Sequence, residues 1–121
     1  MRSGLEDKVK KELKRRKVKF KYEPYSIPYV IEAGYTPDFV LTKKDGTDLI
    51  IETKGYFDQM DRRILRAVKK CNPSLDIRIV FQRDNYLTKR KSSTYTDWAR
   101  RHGFPCHVGE EVPAQWLKEI K

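Results

Sequence analysis

The stretch YTPDFVLTKKDGTDLIIETKG, residues 35–55, decides the fold. Two mostly apolar runs, 38–41 and 48–54, flank a polar turn that contains Asp45-Gly46, and this pattern predicts a β-hairpin. Because apolar residues fall on both faces of the two runs, we expect the sheet to be covered on both sides.

The length of the turn decides where the acidic side chains of the hairpin lie. A three-residue loop, Lys44–Gly46, takes glycine at its left-handed third position, and the ladder then places Asp38 opposite Glu52. Directly opposed residues share a face, with Cβ atoms about 5 Å apart. A two-residue turn at Asp45-Gly46 would instead pair Asp38 with Thr53 and put the two carboxylates on opposite faces. Lys44-Asp45-Gly46 fits the three-residue loop, so we expect that register, and the alternative is the two-residue turn, in which only a bulge would restore the arrangement.

The chain after the hairpin alternates helix and strand. A helix begins at Asp58 or Asp61 and ends at Asn72-Pro73. Its expected buried face consists of Met60, Ile64, Ala67 or Val68, and Cys71. Three more elements follow: a strand over 76–81, a short helix over 95–102 and a helical turn over 113–117. A strand–helix–strand order implies a right-handed crossover and a parallel pair, so the predicted class is α/β with a mixed β-sheet.

The residues before the hairpin predict a helix and a strand. Ser3-Gly4-Leu5-Glu6 has the form of a capping box, and an apolar stripe at Leu5, Val9 and Leu13 follows it. Apolar residues alternate with lysines over 17–22, which predicts a half-exposed strand. Pro28 lies in another extended run, 25–31, which we expect at a sheet edge or leaving the domain.

The net charge is unevenly distributed. The 121 residues include 27 Lys and Arg against 17 Asp and Glu, a net charge of +10. Residues 1–21 carry +7 and residues 82–101 carry +4, whereas 22–81 is balanced. A cationic domain of this kind is typical of nucleic-acid-binding proteins.

Composition also limits the cellular setting. No apolar run approaches the ~18 residues of a membrane span, and the N-terminus has no apolar signal region. Cys71 and Cys106 are too few for a disulfide framework and fit free thiols in a reducing compartment. We therefore expect one cytoplasmic domain with no membrane partner.

The hairpin contains a candidate metal site. Glu52 and Lys54 are two residues apart, hence on one side of a strand. Together with Asp38 they would suit Mg²⁺, which takes one or two carboxylates plus water and phosphate oxygens. Lys54 would orient water or stabilise charge on a phosphate. The alternative is a structural Glu52–Lys54 ion pair, but Pro37-Asp38 and the cationic domain favour the metal site.

These residues resemble a known family. Pro37-Asp38 followed by Glu52-x-Lys54 is similar to the restriction-endonuclease-like nuclease superfamily. More narrowly, six blocks in order resemble the bacteriophage endonuclease I family of Holliday-junction resolvases: 2–9, 28–31, 35–39, 51–55, 75–81 and 113–116. The resemblance covers nearly the whole chain.

The resemblance implies an activity and an architecture. The activity is Mg²⁺-dependent cutting of branched DNA, above all four-way junctions, by paired nicks, with Mn²⁺ as a substitute and one or two ions per site. The architecture is a restriction-endonuclease-like core, a mixed β-sheet flanked by helices, in an intertwined, segment-swapped homodimer. The single domain, 1–121, would comprise a first helix and strand (1–27), an inter-subunit crossing segment (28–34) and a catalytic core (35–121).

The resemblance also implies residue roles. Asp38 and Glu52 correspond to metal-ligating carboxylates, the Thr53 main-chain carbonyl to a further ligand and Lys54 to the catalytic lysine. Glu6 corresponds to a catalytic glutamate that reaches the metal site of the partner subunit. By spacing alone Glu6 is a capping-box residue, and with the family match we favour the metal role.

Two basic segments supply candidate contacts to DNA phosphates. These are Lys8, Lys11 and Arg15 in the first helix and Lys89, Arg90 and Lys91 in a later loop. The alternative for any one of them is a solvated surface charge. Two other functions remain open: a related mismatch-nicking or restriction-type nuclease, and a non-catalytic nucleic-acid-binding protein.

Overall fold

The computed structural model describes residues 4–121, which divide into two compact units. The described residues up to Ala33 form the first unit, and residues 34–121 form the second. The first unit contains helix α1 (Gly4–Arg15), as expected, while Ser3 of the proposed capping box lies outside the described residues. Lys17 adopts φ 58°, and the Val18 N–H donates to the Leu13 carbonyl at 3.0 Å, so a Schellman motif ends the helix.

The predicted strand over 17–22 is wrong. In the described part of the chain these residues pair with no other strand. An alternating pattern becomes a strand only beside a neighbour that completes its hydrogen-bond ladder, and the first unit supplies none. The run 25–31 is irregular and exposed, with Tyr29 80% and Val30 92% accessible.

The second unit is built on a four-stranded mixed sheet. Its strands are β1 (Phe39–Thr42), β2 (Asp48–Lys54), β3 (Asp76–Phe81) and β4 (Cys106–Val108), in the order β1-β2-β3-β4. The β1–β2 pair is antiparallel, whereas β2–β3 and β3–β4 are parallel. The expected α/β class and mixed sheet are confirmed. The short β4 was not predicted.

The hairpin has the three-residue loop. Val40 pairs with Ile50, and the Lys43 N–H donates to the Thr47 carbonyl at 2.8 Å. Gly46 takes φ 87°, a conformation that a side chain would strain. The register that brings Asp38 beside Glu52 is therefore the one formed.

Three helices flank the sheet: α2 (Gln59–Cys71), α3 (Tyr95–Arg101) and α4 (Ala114–Leu117). The two candidate caps of α2 act together, since Asp58 and Asp61 form a reciprocal capping box. The expected buried face of α2 is wrong in part: Met60, Ile64 and Cys71 are exposed, and Leu65 is buried instead. The apolar stripe predicted from the sequence is wider than the surface of α2 that packs against the sheet. The residues of α2 in that contact are Leu65 and Val68.

Both faces of the central strands are covered, as predicted. The larger core contains Ile50, Phe57, Leu65, Ile77, Ile79, Phe81, Tyr95, Trp98, Ala99 and Phe104. The smaller core, on the other face, contains Leu49, Ile51 and Val80, with Leu41, Val112, Trp116 and Ile120 packed against it. Among residues 4–121 there is no helix of the length and apolarity that crossing a membrane requires.

Candidate active site

The hairpin brings three of the predicted site residues together. Asp38 directly precedes β1, while Glu52 and Lys54 lie at the end of β2. The Asp38 N–H donates to Glu52 Oε1 at 3.1 Å, and Lys54 Nζ lies 3.8 Å from Glu52 Oε2. All three belong to the second unit. The carboxylates are therefore neighbours beside one ammonium group.

Glu52 is buried, with only 3% of its surface exposed. A buried carboxylate needs donors, and Oε1 receives two, from the Asp38 N–H and the Tyr35 hydroxyl. Burial first, and then the hydrogen bond to Glu52, raise the pKa of Tyr35 above its usual range. The phenol thus stays protonated and continues to donate.

Asp38 is exposed and held by one oxygen. Its Oδ2 accepts from the Thr53 N–H at 2.9 Å and from the Thr53 hydroxyl at 3.0 Å. No described residue donates a hydrogen bond to Oδ1. Each carboxylate therefore accepts its hydrogen bonds through one oxygen, while the other, Asp38 Oδ1 or Glu52 Oε2, accepts none from a described residue, with Lys54 Nζ 3.8 Å from Oε2.

This donor set fits Mg²⁺ as a pair of carboxylates. Within residues 4–121 no three His, Cys, Asp or Glu side chains form a group that could hold a metal ion. Mg²⁺ needs only one or two carboxylates when water and phosphate complete its shell. Asp38 and Glu52 supply that number, while the Thr53 carbonyl and Glu6 stay predictions as ligands.

Lys54 has a second acidic neighbour that sequence reasoning assigned only to capping. Its Nζ lies 3.2 Å from Asp61 Oδ1, and the other oxygen of Asp61 accepts from the Asp58 N–H at 3.2 Å. Lys54 is therefore held by two carboxylates, Glu52 in β2 and Asp61 in the first turn of α2. Asp61 follows Lys54 by seven residues, and only the path of the Gly55–Asp58 connection brings them together.

Tyr35 is the second residue that the sequence did not reveal. It lies three positions before Asp38, in irregular chain where no period fixes the direction of a side chain. Tyr35, the two carboxylates, Lys54 and Asp61 line a cavity of about 240 Å³. Its lining consists of Gly34, Tyr35, Thr36, Asp38, Glu52, Lys54, Asp61, Ile64 and Leu65. A larger cavity of about 530 Å³ shares only Lys54 with this lining.

Glu6 lies in the first unit, on α1. Its Oε2 accepts from the Tyr22 hydroxyl, and Lys10 Nζ lies 3.4 Å from the centroid of the Tyr22 ring. The hydrogen bond to Glu6 raises the pKa of Tyr22 to about 12. The role of Glu6 in the metal site stays a prediction.

The six candidate DNA contacts are exposed. Lys8, Lys11 and Arg15 project from α1 at helical spacing, and Arg15 forms an exposed ion pair with Glu12 at 2.6 Å. Such a pair is worth little, so it leaves the arginine available. Lys89, Arg90 and Lys91 lie in a loop closed by a Leu87 N–H to Ser93 carbonyl bond of 2.8 Å. Their contact with DNA stays a prediction.

Comparison with known proteins identifies the family. The chain matches the Phage endonuclease I family over residues 1–121 and belongs to it. It is 40% identical to Endonuclease I of Escherichia phage T7 over 124 aligned positions, which cover 99% of this chain and 80% of that protein. It is also 40% identical to Endodeoxyribonuclease 1 of Enterobacteria phage T3, over 99% of this chain and 78% of that protein. The resemblance is confirmed, and the chain is a nuclease of this family.

Proposed function

We propose that this protein is a DNA endonuclease that resolves four-way junctions and other branched DNA by paired, Mg²⁺-dependent hydrolysis of phosphodiester bonds. The observation that carries the proposal is the Asp38–Glu52–Lys54 arrangement in a chain of an endonuclease family. Acid pairs with an adjacent lysine suit phosphate chemistry, because the acids bind a cation and the lysine binds the substrate anion.

The residues of the site would divide the work. Asp38 Oδ1 and Glu52 Oε2 would hold one or two Mg²⁺ ions, or Mn²⁺ as a substitute, with the Thr53 carbonyl and the partner subunit's Glu6. When bound, Mg²⁺ supplies an activated water and neutralises charge on the phosphate. Tyr35 and the Asp38 N–H hold Glu52 in place. The Lys54 ammonium, fixed by Asp61, would face an oxygen of the scissile phosphate.

The architecture supports a restriction-endonuclease-like core. The acids lie on a hairpin whose second strand, β2, continues through α2 into the parallel strand β3. Helices and the chain after β4 cover both faces of this sheet. Strand β2 therefore lies between two cores, and their packing restricts the movement of its carboxyl end.

The first unit supports a homodimer. Helix α1 has no buried residue among those described, and an isolated 12-residue helix is marginal in water. The 25–31 run exposes a contiguous set of large apolar side chains: Tyr25, Ile27, Tyr29, Val30 and Ile31. Exposed patches of this kind mark protein interfaces. A second copy, with the 28–34 segment crossing between subunits, would cover this surface and supply the second active site that paired nicks require.

The test is cleavage of a synthetic four-way junction with Mg²⁺, beside its linear duplex arms and a mismatched duplex. Junction-selective nicking supports the proposal. Equal cutting of linear duplex indicates a restriction-type enzyme, preference for the mismatch indicates a mismatch-nicking one, and binding without cutting indicates a non-catalytic protein. Glu52→Gln should abolish cleavage and retain binding, whereas Asp48→Asn, at the opposite end of β2, should cut normally.

A further inference from the structure

The outer face of α2 carries a cationic groove. Four side chains of the helix, Arg63, Arg66, Lys69 and Lys70, line a depression of about 390 Å³, together with Ala67, His102 and Phe104. Of the described residues that line it, none is acidic. Residues 22–81 carry no net charge, but their positive and negative charges are separated in space, because the cations of α2 lie on one surface.

Three of these cations are exposed and unpaired. Arg63, Arg66 and Lys70 are spaced i, i+3 and i+7, so they project from the same side of α2. None of them forms an ion pair with a described residue. Like charges at this spacing destabilise a helix by a few tenths of a kcal/mol per pair, and a bound anion would remove that repulsion. The surface is thus better suited to an anion than to water alone.

The groove has one fixed wall. Lys69 Nζ donates to the Gly103 carbonyl at 3.0 Å and lies 5.0 Å from the centroid of the Phe104 ring. His102 completes this wall, and burial, followed by the charges of Arg66 and Arg101, lowers its pKa. Lys69, His102 and the Phe104 ring therefore form one side of the groove.

We infer that this groove binds the phosphodiester backbone of a duplex arm of the branched DNA substrate away from the cleavage site, an inference that rests on the proposed function. Asp61, in the first turn of the same helix, contacts Lys54 in the active site, whereas at 3.6 residues per turn Arg63, Arg66 and Lys70 project from the opposite side of α2. These three cations span about 10.5 Å of the helix axis. A duplex carries one phosphate charge per ≈ 1.7 Å of its axis, so an arm that passes over the outer face of α2 offers several phosphates over that span.

The contact would position DNA without reading its sequence. Guanidinium and ammonium groups bind phosphate oxygens, and these are the same for every base sequence. Its contribution should therefore appear as salt-dependent affinity that is the same for arms of different sequence.

The test measures affinity for a labelled four-way junction in EDTA, by fluorescence anisotropy over a series of salt concentrations. The groove variant is Arg63→Gln/Arg66→Gln/Lys70→Gln, which removes three charges with a good helix former. Its matched control, Lys44→Gln/Lys118→Gln/Lys121→Gln, removes three exposed charges from the same unit outside the groove. Each lost phosphate contact should lower the slope of log affinity against log salt by roughly 0.9.

We expect the groove variant to lose roughly 0.9–2.7 of that slope, depending on whether one or three contacts are lost, and the control to keep it. Equal slopes in the two variants would overturn the groove while leaving the proposed function standing. If the unaltered protein bound no DNA, the proposed function itself would fail. Should the triple variant misfold by circular dichroism, Arg66→Gln alone should still lower the slope by roughly 0.9.

Discussion

Two glutamates of this protein each accept a hydrogen bond from a tyrosine, one in each unit. Tyr35 donates to Glu52 in the second unit, and Tyr22 donates to Glu6 in the first. The chemistry of the two pairs is the same, but their surroundings differ. Glu52 is buried at the end of a central strand, whereas Glu6 lies on a helix that buries nothing in the described chain.

The neighbouring lysines differ in the same way. Lys54 lies 3.8 Å from the Glu52 carboxylate and is fixed by Asp61, whereas Lys10 lies over the Tyr22 ring. Burial and a second anchor thus give Glu52 a set geometry that Glu6 lacks. The comparison shows that a tyrosine donor alone does not fix the geometry of a carboxylate. Burial and a second anchored neighbour are needed as well.

The largest difference in cleavage rate between the two glutamate–tyrosine pairs should come from replacing their neighbouring lysines, Lys54 and Lys10. Lys54→Ala should lower the cleavage rate about 10³-fold or more, because it removes a cation from the position of developing charge. Lys10→Ala should change the rate less than about threefold. Single-turnover cleavage of a junction measures both, and affinity should persist in both. Comparable rates in the two variants would mean that Lys54 has no chemical role.

Mixing two inactive chains should show whether the Glu6 pair completes the site of the other subunit. Glu6→Ala and Asp38→Ala chains should each be inactive. After subunit exchange, half of the dimers would be mixed, each with one intact site, so nicking should recover to about a quarter of the normal rate. Gel assays of nicked junction measure this recovery. Persistent inactivity of the mixture would argue that Glu6 serves its own subunit, and normal activity of the Glu6→Ala chain alone would show that it serves no site.

Removing the tyrosine hydroxyls compares the two donors directly. Tyr35→Phe should cost about 1–3 kcal/mol in the free energy of unfolding, because a buried carboxylate loses a donor, and should slow cleavage roughly tenfold. Tyr22→Phe should cost less than about 0.5 kcal/mol, since water replaces an exposed hydroxyl. Urea unfolding gives the first quantity and single-turnover cleavage the second. Equal losses of stability would show that burial does not distinguish the pairs.

The smallest effect should come from the anchor of Lys54. Within residues 4–121, two capping boxes end in aspartate, Asp58–Asp61 before α2 and Thr94–Asp97 before α3. Asp61→Asn and Asp97→Asn should each cost about 1 kcal/mol or less in stability, since both weaken a cap. Only Asp61→Asn should slow cleavage, by about three- to tenfold, because only Asp61 holds a lysine of the site. If Asp97→Asn slowed cleavage to the same extent, the effect of Asp61→Asn would come from the weakened helix cap and not from its contact with Lys54.

The sequence was sufficient for the centre of the second unit. The apolar runs of β2 and β3 predicted both strands with the bounds that the structure has, and Gly46 favoured the register that the hairpin adopts. Asp38, Glu52 and Lys54 could be grouped because strand periodicity and one turn determine their positions. Strand periodicity and turn geometry were therefore sufficient to place these three residues of the site.

The rest depended on contacts that no local pattern describes. The alternation over 17–22 gave no strand because a strand needs a partner. Asp61 has the spacing of a cap whether or not a lysine lies beside it, and Tyr35 lies in irregular chain. The groove on α2 escaped segment charge counts, because acids elsewhere in 22–81 balanced its cations along the sequence but not in space.

The Lys44–Gly46 turn has a consequence for how this chain can vary in length. Deleting one loop residue leaves a two-residue connection between the same flanking pair, Lys43 and Thr47, so Asp38 still lies opposite Glu52. An added residue can likewise bulge into solvent and leave the pairing of Val40 with Ile50 unchanged. The loop should therefore vary in length without moving the carboxylates, whereas an insertion or deletion of one residue within β1 or β2 would shift the pairing by one position and place Asp38 and Glu52 on opposite faces.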